Sequence, residues 1–255
     1  MISTFCSVAK CIDSKHRLAA KPNLDFVLII NPSSGPGSSQ YPDEQYTAAL
    51  TQLAKYPNVH KVGYVRTGYA TRNVTDVISE INVFSGWASK GPAFAMEGIF
   101  FDESPHQYSA EAVDFMLKAS RAVKDATGLQ GAKTVVSIDP HGEPLAADTH
   151  EKIRNPGVIP DPKFADSRTD ISVTFEQSFT EYQTKEADLA AYKDDRKSQC
   201  YMVHSIPSMD KGKLRTFVDD LSKRAEYLFV TSNKENYYES FAEDWAEFID
   251  AIPAS

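Results

Sequence analysis

Cysteine is scarce in this chain of 255 residues, and the three present, Cys6, Cys11 and Cys200, are odd in number and lack metal-ligand spacing. That excludes a complete disulfide framework and a thiolate metal site. Cys200 opens a predicted strand, where a buried thiol is expected. No apolar run approaches the ~18 residues of a membrane-crossing helix, so no membrane span is expected. Blocks of lysine or arginine are missing too, and the formal charge is -8. Such a composition argues against nucleic acid or an anionic membrane as partner and leaves neutral or cationic ligands open. Between Met1 and Ala20 the apolar stretches are broken by Lys10, Asp13, Lys15, His16 and Arg17, so a secretory leader is not expected.

Three further absences concern chemistry. The histidines, His16, His60, His106, His141, His150 and His204, show no paired metalloprotease-type spacing. No Gly-x-Ser-x-Gly elbow occurs, which removes the usual frame for a serine nucleophile. The loop Asn31-Pro32-Ser33-Ser34-Gly35-Pro36-Gly37-Ser38-Ser39 turns sharply but lacks the Gly-Lys-Ser/Thr ending of a phosphate-binding loop. Neither a metal nor a cofactor is expected. Asn73-Val74-Thr75 fits the glycan acceptor pattern, at a predicted helix start.

What is present is an alternation of apolar strand-like runs with amphipathic helical stretches, the pattern of βα units around a parallel sheet. Seven strands are predicted: Phe26 to Asn31, Lys61 to Arg66, Gly98 to Asp102, Thr134 to Ile138, Ile171 to Glu176, Tyr201 to Ser205 and Tyr227 to Thr231. Helices are predicted from Asp43 to Lys55, Val74 to Ala88, Ala110 to Ala126, Phe179 to Tyr192, Lys211 to Arg224 and Tyr237 to Ile249. Trp87 and Trp245 fall within helical stretches and read as packing residues. No repeat, low-complexity tract or internal linker divides the chain. The longest irregular stretch runs from Asp139 to about Ser167, and loops of that length are uncommon unless functional or disordered.

Two predicted strands end in carboxylates. Gly98-Ile99-Phe100-Phe101 runs into Asp102-Glu103, and Asp170-Ile171-Ser172-Val173-Thr174-Phe175 runs into Glu176. Ligands of parallel α/β folds bind beyond the carboxyl ends of strands, so acids there read as a site. A solvated turn is the plainer alternative. Two carboxyl groups flanking a bond are what glycoside hydrolysis uses, one protonated and one ionised. Consecutive strand residues point to opposite faces, so Asp102 and Glu103 are expected to differ in role. Tyr64 and Tyr69, near strand ends, read either as sugar-stacking rings or as core. His204, on a strand, reads as a core or site-lining histidine.

Taken in order, Ile29-Ile30-Asn31-Pro32-Ser33-Ser34-Gly35-Pro36-Gly37, Gly63-Tyr64-Val65-Arg66-Thr67-Gly68-Tyr69, Gly98-Ile99-Phe100-Phe101-Asp102-Glu103, Asn155-Pro156-Gly157, Phe175-Glu176-Gln177-Ser178 and Val203-His204-Ser205 resemble the spherulin-4 family, of glycoside hydrolase family 135 type. The resemblance runs from about Asn23 to the C-terminus. It implies an α/β fold, a TIM-type (β/α)8 barrel, and an endo-acting hydrolase of galactosaminogalactan, cutting α-1,4-linked N-acetylgalactosamine stretches, as in relatives from filamentous fungi. The partner implied is an amino-sugar polysaccharide, and the location implied is secreted or cell-surface. Carried over by position, Asp102 is the nucleophile, Glu176 the general acid/base and Glu103 a supporting acid, with Asn31, Tyr64, Tyr69 and His204 as substrate-binding candidates.

Two departures from the family pattern stand out. No Pro-Leu-Tyr-type first strand occurs in residues 1–22, a divergent segment ahead of a single domain expected over 23–255. Either Ile2 to Val8 substitutes for that strand or the barrel is open there. Asp139 to Arg154 reads as an insertion ahead of Asn155-Pro156-Gly157, at the expected catalytic mouth. A relative that binds carbohydrate or serves a developmental or stress role without full catalysis therefore stands as the alternative.

Overall fold

The computed structural model describes residues 2–5, 15–131, 151–161, 171–192 and 194–253. Eight parallel strands close in chain order into one barrel. They are β1 (Ile2–Phe5), β2 (Phe26–Ile30), β3 (Val59–Arg66), β4 (Gly98–Asp102), β5 (Glu151–Arg154), β6 (Ile171–Ser178), β7 (Gln199–His204) and β8 (Tyr227–Val230). The α-helices among the described residues are α1 (Lys15–Ala20), α2 (Glu44–Leu53), α3 (Val74–Gly86), α4 (Ala110–Asp125), α5 (Phe179–Ala191), α6 (Lys211–Ser222) and α7 (Trp245–Ala251).

β2 and β8 read as unbroken apolar runs because both faces are covered, one by the barrel interior and one by helices. Every residue of Phe26–Ile30 and of Tyr227–Val230 is buried. Helix starts follow local chemistry: Asp43, Asn73, Ser109, Ser178 and Asp210 each accept a hydrogen bond from a backbone N–H in the first turn. Such caps contribute about 1 kcal/mol each. Gly63 in β3 is fixed by packing, since a Cβ there would lie 2.6 Å from the Phe84 ring of α3. At the N-terminal face of the barrel, the side-chain amide of buried Asn58 donates to the carbonyls of Leu18, Lys21 and Leu24 at 3.0–3.2 Å, clamping the α1–β2 connection.

One alternative is resolved and two sequence-based expectations change. Ile2–Phe5 supplies the first strand, pairing with β2 over four residues and with β8 at the single pair Ile2 and Leu228. The barrel is thus closed rather than open, and β1 and α1 within residues 1–22 belong to it. The predicted strand Thr134 to Ile138 lies outside the described residues. The fifth position is filled by Glu151–Arg154, registered along β4 over four pairs. The stretch read as an insertion therefore ends in a barrel strand. Finally, the predicted helix Tyr237 to Ile249 begins only at Trp245; Tyr237 and Tyr238 lie in the irregular segment after β8.

Candidate active site

Among the described residues, the non-glycine positions with left-handed backbone, Ser34, Tyr69, Ala70, Glu103, Ser205 and Asn236, all follow the C-terminal ends of strands. Such conformations cost on the order of 1–3 kcal/mol each and cluster where geometry serves function. This rim also carries the acids.

Its backbone is held by hydrogen bonds that prolong the sheet beyond the strands. Thr67 N–H donates to the Asp102 carbonyl at 2.8 Å and Tyr69 N–H to that of Glu103 at 2.6 Å. Asn155 N–H donates to the Phe101 carbonyl at 2.8 Å, Ser104 N–H to that of Asn155 at 3.0 Å, and Glu176 N–H to that of Gly157 at 3.0 Å. The turn between Asn155 and β6 passes through Gly157 at φ +68, where a side chain would be strained. One β-bulge interrupts the β6–β7 register between Val173 and Phe175, just before Glu176. Bulges re-aim the side chains that follow them.

Asp102 and Glu176, from β4 and β6, meet at one group. The side-chain Nδ2 of Asn155 donates to Asp102 Oδ1 at 3.1 Å and also to Glu176 Oε2. The outer oxygens are occupied by phenols: Tyr64 donates to Asp102 Oδ2 at 2.5 Å, and Tyr238 donates to Glu176 Oε1. Burial pushes both carboxyls above the ordinary carboxylate range, helped by the field of Glu103 at Asp102 and by that of Asp102 at Glu176; the hydrogen bonds pull the opposite way. Burial and the neighbouring carboxylates push the Tyr64 and Tyr238 phenols up, so both stay protonated.

Glu103 takes a different direction. Its backbone is left-handed and its carboxylate pairs with Arg66 at 2.8 Å, apart from the Asn155 bridge. Thr67 Oγ1 donates to its carbonyl at 2.7 Å. Tyr64 is buried against Phe100, with ring centroids 6.2 Å apart; its hydroxyl orients Asp102, so the ring is not an open stacking platform. Tyr69 is 54% exposed and sits edge-on to His106. Burial raises its phenol, followed by the fields of Glu103, Asp102 and Glu176. His204 ends β7 and stacks on Tyr237 with centroids 4.0 Å apart and planes 4° from parallel. Its Nδ1 lies 2.9 Å from Ser205 Oγ, and burial lowers its pKa, favouring neutral imidazole.

Asn31 stands just beyond β2 on the same rim, but its Oδ1 accepts from Gly35 N–H at 3.0 Å and its carbonyl from the Tyr46 hydroxyl at 2.8 Å. Its side chain thus shapes the loop that lines a separate cleft of about 410 Å³ bordered by Tyr41, Asp43 and Glu80. Among the described residues, no group of three or more His, Cys, Asp or Glu could hold a metal ion, and no helix is long and apolar enough to cross a membrane.

Asn155 and Tyr238 escaped sequence reasoning as site residues. Asn155 opens the Asn-Pro-Gly turn already visible in the chain, and that turn was the available signal. Tyr238 had none, because its predicted helix would have pointed it elsewhere.

A closed (β/α)8 barrel with a bridged carboxyl pair at its C-terminal mouth is the class defined by this geometry. The chain belongs to spherulation-specific family 4, whose model matches residues 14–252. Spherulin-4 of Physarum polycephalum is 38% identical over 110 residues, which span 43% of this chain and 30% of that protein. The crystal structure of Aspergillus clavatus Sph3 in complex with GalNAc superposes with a TM-score of 0.85 at 31% identity, covering 98% of this chain and 96% of that one. The GH18 chitinase ChiB of Flavobacterium johnsoniae shares the fold alone, with a TM-score of 0.51 at 11% identity, covering 98% and 92%.

Proposed function

We propose that this protein is a glycoside hydrolase acting within α-1,4-linked N-acetylgalactosamine stretches of a galactosaminogalactan-type polysaccharide, through Asp102 and Glu176. The observation that carries this reading is the shared Asn155 amide between two acids from different strands. The structural likeness to a relative bound to GalNAc supports the sugar.

Two oxygens that accept from one nitrogen lie within about 6 Å of each other, the sum of two hydrogen-bond lengths. Retaining glycosidases hold their carboxyls about 5–5.5 Å apart, inverting ones roughly 6.5–9.5 Å. The shared amide thus supports retention. In the first step Glu176 protonates the glycosidic oxygen while Asp102 attacks the anomeric carbon. In the second, Glu176 takes a proton from the water that releases the sugar from Asp102. Glu103, held by Arg66, adds negative potential at the mouth and supports the loop after β4.

Tyr69 and the His204–Tyr237 stack offer ring faces and polar edges for sugar contacts. Incubation with N-acetylgalactosamine polymer should release oligosaccharides visible by mass spectrometry, with the released anomer of retained configuration by NMR at early times. A folded sample that binds the polymer and releases nothing would favour the second reading, a carbohydrate-binding relative. The thin pairing of β1 to β8 is the observation that keeps that reading in view.

A further inference from the structure

We propose that Asn155 and Tyr238 are positioning residues that fix where the catalytic proton resides: Asn155 keeps it off the two facing carboxyl oxygens, and Tyr238 seats it at Glu176 Oε1. The inference rests on the acid-pair reading above. Each of the four carboxyl oxygens has one side-chain donor: Tyr64 at Asp102 Oδ2, Asn155 at Asp102 Oδ1 and at Glu176 Oε2, and Tyr238 at Glu176 Oε1. An amide NH2 only donates, whereas a phenol hydroxyl both donates and accepts. A proton on Asp102 Oδ1 or Glu176 Oε2 would face the Asn155 N–H, which cannot accept it. Only the two phenol-facing oxygens have a side-chain partner among the described residues that can accept it.

Donor count then separates those two. Asp102 also accepts from the backbone N–H of Glu103, giving its carboxylate three donors among the described residues against two for Glu176. Hydrogen bonds to the charged form favour ionisation, so Asp102 is the ionised partner and Glu176 the protonated one. Asn155 cannot readily turn to present its oxygen instead. It is 4% exposed, and its backbone is pinned to Phe101 and Ser104. Its Oδ1 is buried with no hydrogen-bond partner among the described residues. Leaving a buried acceptor unmet costs about 1–3 kcal/mol, so the amide's orientation is set by the carboxylates it serves.

The described groups around the pair do not offer a competing seat. On β3, Tyr64 serves Asp102 and Arg66 is paired with Glu103; beyond β3, Tyr69 feels both acids; on β7, His204 stacks on Tyr237, which also feels Glu176. During glycosylation the Oε1 proton passes to the glycosidic oxygen, which keeps the bonding electrons. An Asp102 oxygen bonds the anomeric carbon, and Tyr238 turns to donate to the new Glu176 carboxylate. Water then gives a proton to Oε1 and its hydroxide to the anomeric carbon, and the bond from that carbon to Asp102 breaks with its electrons returning to the carboxylate.

The test compares pH–rate profiles on N-acetylgalactosamine oligosaccharides with carboxyl 13C titrations of Asp102 and Glu176, the latter independent of turnover. Tyr64→Phe should move only the acid limb and the Asp102 titration upward, by about half a pH unit or more. Tyr238→Phe should move only the alkaline limb and the Glu176 titration upward. Asn155→Ala should move both. Asn155→Ser, which keeps one donor in a smaller change, should move them less and guards against misfolding. Unmoved titrations in both Asn155 variants, or a Tyr238→Phe effect confined to Asp102, would overturn the proposal. The expected titration pattern in a protein without turnover would support this proton placement and sink the hydrolase reading instead.

Discussion

At the scale of single residues, the acids were legible because their signal is local: an apolar strand that stops at a carboxylate needs a reason. Asp102 and Glu176 do meet, across β4, β5 and β6. Asp102→Asn and Glu176→Gln are each expected to lower kcat by about 10²-fold or more, the scale of acid–base and nucleophile losses, measured on any cleavable N-acetylgalactosamine substrate. Glu103→Gln should cost less, since its carboxylate is turned toward Arg66. A stability effect should accompany the loss. Burial raises the Glu176 pKa, so the folded protein holds more protons than the unfolded chain between the ordinary carboxylate value and the raised one. Stability therefore falls as pH rises through that window. Gln can place its oxygen toward Asn155 and its NH2 toward Tyr238, reproducing the protonated acid without the charge. Glu176→Gln should melt above wild type at neutral pH, with the gap closing toward pH ~4; a variant less stable at every pH would contradict this. Asn155 and Tyr238 stayed hidden because amides and phenols acquire such roles only from neighbours distant in sequence.

At the scale of elements, the β-branched and aromatic strands were legible, whereas Ile2–Phe5 was legible only as one of two alternatives and Glu151–Arg154 was missed. Glu151-Lys152-Ile153-Arg154 carries one apolar residue and forms a strand because β4 offers it a four-pair register. Ile2–Phe5 is only four residues long and completes the barrel through β2. Tyr237 and Tyr238 carried an aromatic helical pattern that tertiary contacts overrode: Asn236 is left-handed and Tyr238 is drawn to Glu176. Among the described residues, β1 and β8 share one registered pair at their seam, fewer than any other neighbouring strands of the barrel. Hydrogen exchange should therefore be fastest, among strands, in peptides covering Ile2–Phe5; protection equal to β2 would contradict the seam. At the opposite face, Asn58→Ala removes the clamp on three carbonyls. A loss of about 1–3 kcal/mol is expected in chemical denaturation, with kcat unchanged because the clamp lies away from the catalytic rim.

At the scale of the whole molecule, the barrel sets chemistry at one end and fastening at the other. The acids, the left-handed residues and the stacked His204–Tyr237 pair share the C-terminal rim, while Asn58 ties the N-terminal side. Net charge adds a long-range preference. With -8 overall, the protein should bind partly deacetylated, cationic galactosamine polymer more tightly at low salt. That advantage should fade as the screening length shrinks from about 10 Å at 0.1 M to about 3 Å at 1 M. Affinity for fully N-acetylated polymer should barely respond, and calorimetry on the two polymers separates the cases. Family and barrel class were readable from ordered motifs along the chain. Closure of the barrel was legible only as one of two alternatives, since Ile2–Phe5 is too short to declare itself a strand without its pairing to β2 and β8.

The most direct measurement is reducing-end release from galactosaminogalactan by the wild-type protein beside Asp102→Asn and Glu176→Gln, with circular dichroism showing that all three fold. The paired-acid hydrolase predicts steady release by the wild type and a fall of orders of magnitude in both variants. Folded wild-type protein that releases nothing, or variants that cleave as fast as wild type, would contradict it.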